Sequence, residues 1–330
     1  MTTGDPLAVM QRRLKELKPS MSWNADDPHW VYDARSAVKA AIGVVNEPWP
    51  EAESLIGEET QEAGYRRIRI EFPSHEGWDG RGWLLIPDGL LSPVPAVVCL
   101  PGHGDGADAI IGLVEDAYQE NFALQCVARG WVTLAVEQVS FGTNQSSRDA
   151  DLGSSCVGDS MAALLLGETI TGWRVRDAIA AQHALARYPL VDPSRIGILG
   201  ISGGGLTALW SAAVEPSFLV AGVSGYFCPM SHSIMNVHHC PDNYVPGFGL
   251  LMDVPDLVGL IANRWLAVEN GTKDPIFEAA GFQSACDLAQ RIYEHHGVPD
   301  RFCGHLFDGD HVFNGEMLLK HFETAFSQEQ

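Results

Sequence analysis

From residue 65 onward the chain alternates short apolar runs with longer stretches in which apolar residues return every third or fourth position. The first pattern suits strands buried on both faces, and the second suits helices that cover them. Residues 65–72 and 82–86 read as two strands of a hairpin joined through PSHEGWDGR. Beyond a Pro- and Gly-containing break at 87–95, strands are predicted at 96–100, 131–136, 196–199, 219–226, 265–269 and 302–307. Helices are predicted between them around 113–129, 172–187 and 206–214, with a last one at about 314–326. Strands and helices alternating at this spacing give a mostly parallel sheet with helices on both faces. No internal repeat breaks the pattern.

Upstream, 6–18 and 29–42 read as polar-rich helices, with Trp23, Trp30 and Trp49 as aromatic anchors for the arm that carries them. Residues 1–60 are therefore expected to form an N-terminal helical extension packed on the body, and 61–330 a single α/β domain. A long connection after the strand at 219–226 makes 228–263 a cap-like insertion, since long ordered loops in compact domains are usually functional.

Composition narrows the partners. With 46% hydrophobic residues in 330, the chain can bury a large core. Its 21 Lys and Arg against 42 Asp and Glu leave a formal charge of −21, which repels phosphate backbones and anionic membrane surfaces. Neither nucleic acid nor membrane is an expected partner. Seven cysteines without CxxC spacing argue against a fully paired disulfide framework, and the first residues lack a signal peptide's apolar core. A cytoplasmic location is the expectation. The tryptophan-bearing arm is open to two roles, a homo-oligomer interface or a cover for the body.

Ligands in such a sheet sit beyond the carboxyl ends of the strands, and four of those ends carry chemistry. The run RIGILGISGGGL at 195–206 holds a G-x-S-x-G pentapeptide with Ser202 at its centre, the pattern of a strand turning sharply into a helix to expose a nucleophile. After 96–100 comes PGHGDG, whose backbone N–H at His103, with that of Gly203, is suited to a developing oxyanion. After 265–269 comes NGTKDP with Asp274, and after 302–307 comes DGDHVF with His311. The order Ser, Asp, His is the one a nucleophile elbow requires, with Asp274 orienting His311 and His311 taking the serine proton. Asp253 and Asp256 compete for the acid's role. Gly104, Phe141, Tyr226, His239 and Tyr244 are the expected lining of the substrate pocket. His232, His238, His239 and Cys240 crowd the cap, but they lack a paired ligand spacing, so no metal and no organic cofactor is expected.

From about 65 to 326 the chain resembles the α/β-hydrolases of the acetyl-xylan-esterase-like group, close to the dienelactone hydrolase superfamily. The segments that carry the resemblance are VCLPGHG at 98–104, GETITGWRVRDAIAAQHALARYPLVDPSRIGILGISGGG at 167–205, HHCPDNYVPGFG at 238–249, DLVGLIANRWLAVENGTKDPIF at 256–277 and RIYEHHGVPD at 291–300. The resemblance implies an α/β-hydrolase fold, with Ser202 as nucleophile, Asp274 as acid, His311 as base and the amides of His103 and Gly203 as the oxyanion hole. Pro101 departs from the family, which commonly has His there, and Asn263 and Trp265 replace prolines around Arg264. Ser202 stands where dienelactone hydrolases have Cys, which favours ester hydrolysis. The expected activity is that of a serine carboxylic-ester hydrolase acting through an acyl-enzyme on short-chain, acetyl-type esters, with a sugar, a small aliphatic alcohol or a xenobiotic open as the alcohol. A peptidase or amidase on the same fold, a noncatalytic hydrolase-like binding protein, and a lyase or transferase that borrows the three residues are the alternatives.

Overall fold

The computed structural model describes residues 4–43, 55–115, 118–152 and 154–328. Nine strands form one sheet: β1 (Leu55–Gln61), β2 (Tyr65–His75), β3 (Trp78–Pro87), β4 (Val94–Leu100), β5 (Val132–Val136), β6 (Val191–Ile201), β7 (Val220–Ser224), β8 (Trp265–Gly271) and β9 (Phe302–Phe307). Their spatial order is β1-β2-β3-β5-β4-β6-β7-β8-β9. The first three and the β3–β5 pair are antiparallel, and from β5 across to β9 every pairing is parallel. The chain runs from β4 outward to β5, then crosses back to β6 on the other side. In an open α/β sheet the ligand crevice lies at such a switch, here beyond the carboxyl ends of β4 and β6.

Helices occupy both faces in the order α1 (Pro6–Glu16), α2 (Trp30–Ile42), α3 (Ala107–Ile110), α4 (Phe122–Val127), α5 (Cys156–Leu165), α6 (Ile170–Ala186), α7 (Gly203–Val214), α8 (Phe248–Leu251), α9 (Ala279–His295) and α10 (Glu316–Gln328). The central strands are buried along their lengths because both faces are covered. In β4, Val98 and Leu100 join the core under α2, α6 and α7, while Val97 and Cys99 join the one under α4 and α10. All twelve residues of α7 are buried, so the helix that follows Ser202 is a fixed platform.

The arm packs on the cap. Met21 N–H donates to the Leu251 carbonyl at 2.7 Å and Trp23 N–H to Asp256 Oδ1 at 2.8 Å, while the Trp30 indole is buried. Trp49 lies outside the described residues. At the end of the segment expected to be helical, residues 55–61 instead pair with β2 as an edge strand. The helix expected over 113–129 is reduced to α4, because Glu120 and Asn121 take left-handed backbone angles (φ 51° and 48°) that a helix cannot continue through. The hairpin turn is tighter than expected, confined to Glu76 and Gly77 between the ends of β2 and β3. The sequence reading assigned no helix to α5 or α9.

Helix α6 buries charge as well as carbon. Asp177 is fully buried, with Oδ1 accepting from Ser74 Oγ at 2.5 Å and Oδ2 from Trp78 Nε1 at 3.3 Å. Burial raises its carboxyl to about 7, against the pull of those two donors. A carboxyl raised on folding contributes stability that is fully present below its unfolded value, about 4, and is lost as pH rises through its folded one. Asp177→Asn, which cannot ionise, is therefore expected to gain on the wild type in melting temperature as pH climbs from about 4 to about 7. Parallel melting curves for the two proteins across that window would contradict it.

Candidate active site

The sharp turn between β6 and α7 is built for one residue. Ser202 has φ 55° and ψ −119°, a conformation costing a non-glycine residue about 1–3 kcal/mol, and it persists because the surroundings over-determine it. A Cβ on Gly200 would run into the Gly204 carbonyl, and one on Gly204 into the Leu100 carbonyl. The glycines flanking Ser202 thus let strand, turn and helix approach one another. Ser202 N–H donates to the Ser224 carbonyl at 2.9 Å, tying the turn to the end of β7.

His311 and Asp274 meet beside it. His311 Nδ1 lies 2.7 Å from Asp274 Oδ2, and the Asp274 side chain is fully buried. The other carboxylate oxygen accepts the N–H groups of Ile276 at 2.8 Å and Phe277 at 3.0 Å, so the acid is locked by its own turn. The imidazole stacks on Tyr118 and on Phe277, both at 5.8 Å between centroids. A Cβ on Gly225 would lie 2.9 Å from His311 Cε1, so only glycine there leaves the ring its place. His311 Nε2 is buried and has no protein hydrogen-bond partner among the described residues. The competing carboxylates are spoken for: Asp253 accepts from Met230 N and Val254 N, and Asp256 from Trp23 N and Asp253 N.

Glu269, at the end of β8, is a buried carboxylate that sequence reasoning passed over. It accepts Ser224 Oγ at 2.9 Å and the N–H groups of Asn314 and Gly315, both at 3.0 Å. Burial pushes its carboxyl up against these donors. The side chain thereby ties the segment after His311 to the strand end that also holds Ser202. A charged residue in the otherwise apolar run WLAV-E was the available signal.

The loop after β4 is clamped from several sides. Gly102 N–H donates to Gln119 Oε1 at 2.8 Å, Tyr118 OH to the His103 carbonyl at 2.7 Å and Gln138 Nε2 to the Pro101 carbonyl. The His103 ring stands against α7: a Cβ on Gly203 would lie 3.0 Å from its Nδ1. Its Nε2 is 3.0 Å from Asp242 Oδ2, and Asp242 is paired in turn with the fully buried Arg174. Burial alone would lower the His103 pKa, but the Asp242 carboxylate raises it to about 9. Asp242 itself is held far below the usual carboxylate range, since Arg174 and His103 outweigh its burial. Burial and the nearby His103 charge lower His239 to about 4.

Ser202, Gly203, His311 and His103 line one cavity of about 250 Å³ with Tyr118, His238, His239, Cys240, Asn243, Ile276 and Phe277. Of the five expected pocket residues only His239 is among them. Gly104 turns outward into solvent, and Phe141 is buried behind the His103 ring. Tyr226 is buried against Phe277, and Tyr244 is 42% exposed with its hydroxyl spent on the Ile234 carbonyl. Tyr118, Ile276 and Phe277, which the sequence did not single out, supply the walls instead. A larger cavity of about 430 Å³, between Trp78, Trp173 and α5, contains none of the three residues expected to react.

Comparison with known proteins agrees with this architecture. The chain is 23% identical over 257 residues to YtaP of Bacillus subtilis (strain 168), a protein named as a hydrolase, covering 75% of this chain and 82% of that one. A Bacteroides fragilis NCTC 9343 structure (BF1801), assigned as an acetyl xylan esterase, superposes with a TM-score of 0.76 at 19% identity, over 93% of this chain and 83% of that one. A glucuronoyl esterase from Solibacter usitatus gives a TM-score of 0.68 at 15% identity, over 95% of this chain and 98% of that one. The model of the Abhydrolase family matches residues 5–311, reaching from the first helix of the arm to His311, and the chain belongs to that family of α/β hydrolases.

Proposed function

We propose that the protein is a serine carboxylic-ester hydrolase. The observation that carries this reading is a serine in a strained turn opening into the same cavity as an imidazole whose far nitrogen is pinned by a buried carboxylate. His311, oriented by Asp274, takes the Ser202 proton as the hydroxyl attacks an ester carbonyl. The Gly203 N–H, left free of the helical bonding pattern at the start of α7, and the His103 N–H receive the oxyanion. His311 then protonates the leaving alcohol and activates the water that clears the acyl-enzyme. Serine–imidazole hydrogen bonds are often long before substrate binds, so His311 Nε2 without a protein partner is compatible with this role.

Short acyl groups are the proposed substrates, because the cavity is small and walled by Tyr118, Ile276 and Phe277. The names of two structural relatives, an acetyl xylan esterase and a glucuronoyl esterase, favour a carbohydrate as the alcohol or acyl partner. All seven thiols are free, in keeping with a cytoplasmic enzyme. A p-nitrophenyl ester series from acetate to decanoate, with acetylated xylan beside it, tests the reading. Turnover is expected for acetate and butyrate, falling at least tenfold by octanoate. Hydrolysis of a matched amide at a rate comparable to the ester would move the assignment to a peptidase or amidase.

A further inference from the structure

His103 after β4, Cys156 at the start of α5, and Cys240 and Asp242 in the cap come from three distant stretches of sequence, yet their side chains converge. A ring nitrogen of His103, both Sγ atoms and a carboxylate oxygen of Asp242 all lie within 4.8 Å of one another. Inside the group, His103 Nε2 is 3.0 Å and Cys156 Sγ 3.6 Å from Asp242 Oδ2. Zinc binds His nitrogen and carboxylate oxygen at about 2.0–2.2 Å and Cys sulfur at about 2.3 Å, so the edges of its tetrahedron run roughly 3.3–3.8 Å. Those two distances are close to that size, and no donor pair is more than 4.8 Å apart.

We propose that these four side chains bind one transition-metal dication, with zinc the best match to a donor set of two sulfurs, one nitrogen and one oxygen. Hard cations such as Mg²⁺ and Ca²⁺ prefer all-oxygen sets and are disfavoured by the two sulfurs. Charge supports the assignment. Two thiolates and the Asp242 carboxylate carry three negative charges, and the dication with Arg174 carries three positive ones, so the buried assembly is neutral. Arg174 stands where an outer-shell partner stands, with Nη1 2.5 Å from Asp242 Oδ2 and Nη2 3.4 Å from Cys156 Sγ. It is itself held by two hydrogen bonds to the Val139 carbonyl, at 3.0 and 2.9 Å.

The pairing of Arg174 and His103 with Asp242 holds that carboxylate without a metal, but it does not call for two thiols beside it, and the ester mechanism uses neither. His103 and Cys240 line the 250 Å³ cavity, which supplies the ion's path in. With all four positions filled by protein the site is structural in kind. It would staple the loop that carries the proposed oxyanion donor to the cap and to α5. The inference does not depend on the esterase reading.

The reduced, chelator-treated full-length protein is titrated with Co²⁺, followed by Zn²⁺. One equivalent of cobalt is expected to give the intense visible absorption of four-coordinate Co²⁺ with a near-ultraviolet thiolate charge-transfer band, and zinc to displace it. Cys156→Ser and Cys240→Ser should each weaken cobalt binding by more than about 100-fold, beyond the cost of losing an outer-shell partner. Cys303→Ser, on β9, should leave it unchanged. Circular dichroism reports whether each variant folds; where one does not, protection of two wild-type thiols by zinc against a disulfide reagent decides. No uptake by the folded, reduced protein, uptake without the thiolate band, or uptake that survives both cysteine substitutions overturns the proposal. The last of these would shift attention to the cap histidines His232, His238 and His239.

Discussion

Ser202→Ala is expected to lower kcat on p-nitrophenyl acetate by about 10⁵–10⁶-fold while the protein stays folded, with His311→Ala costing nearly as much and the double variant little more. The near-equality follows from the proposed roles. A base without a nucleophile has nothing to activate, and a nucleophile without its base stays a weakly reactive alcohol. The residual rate, roughly 10³-fold over water, would belong to the oxyanion donors and to binding in the cavity. Stability should move the other way or not at all. Ser202 sits at φ 55° and ψ −119°, alanine relieves none of that backbone strain, and its smaller polar load in a half-buried turn costs nothing. Single-turnover kinetics with a fluorophosphonate label on the wild type checks the assignment. Loss of activity below tenfold in the alanine variant, or labelling at another residue, would remove Ser202 from the nucleophile's role.

Much of the candidate site was legible because each of the three residues proposed to react stands at the end of an apolar run. RIGIL before Ser202, WLAVE before Asp274 and FCGHLF before His311 are strands by composition, and the switch-point rule says what their ends are for. The parallel sheet and the α/β-hydrolase family were legible on the same ground, and the family match bears them out. The pocket walls were not. Which face of the loop at 275–277 turns inward is decided by two backbone hydrogen bonds to Asp274, and no pattern of residue types announces that. Phe141 and Tyr226 are aromatic residues after strands, as a pocket would want, but the sheet's helices bury them one layer deeper. The cluster around Asp242 escaped for another reason. Ligand spacing within the cap shows only His232, His238, His239 and Cys240, whereas the structure adds His103 from the loop after β4 and Cys156 from the start of α5 to Cys240 and Asp242. Helix α5 carries Val157, Met161, Leu164 and Leu165 at helical spacing, a signal present in the sequence, but the structure leaves that apolar stripe exposed instead of burying it.

Asp274→Asn is the second large effect, a fall in kcat of about 10⁴-fold with little change in KM or in the backbone. The structure supplies the reason in terms of a single proton. Oδ1 of residue 274 accepts from Ile276 N–H and Phe277 N–H, and an asparagine carbonyl would keep both bonds. Its amide NH₂ is then forced toward His311, into the place of the Oδ2 that now lies 2.7 Å from Nδ1. A donor facing Nδ1 makes that nitrogen an acceptor and moves the imidazole's proton to Nε2. In the proposed mechanism Nε2 receives the Ser202 proton, so the ring of the variant is present, correctly placed and in the wrong tautomer. Binding in the cavity is untouched, and the loss falls on kcat. Asp253→Asn is the matched control, because that carboxylate accepts from Met230 N and Val254 N and does not line the cavity. Steady-state kinetics on both variants, with NMR detection of the His311 ring protons in the asparagine protein, separates a tautomer effect from simple misfolding. A loss under tenfold for Asp274→Asn, or an equal loss for Asp253→Asn, would hand the acid's role to another carboxylate.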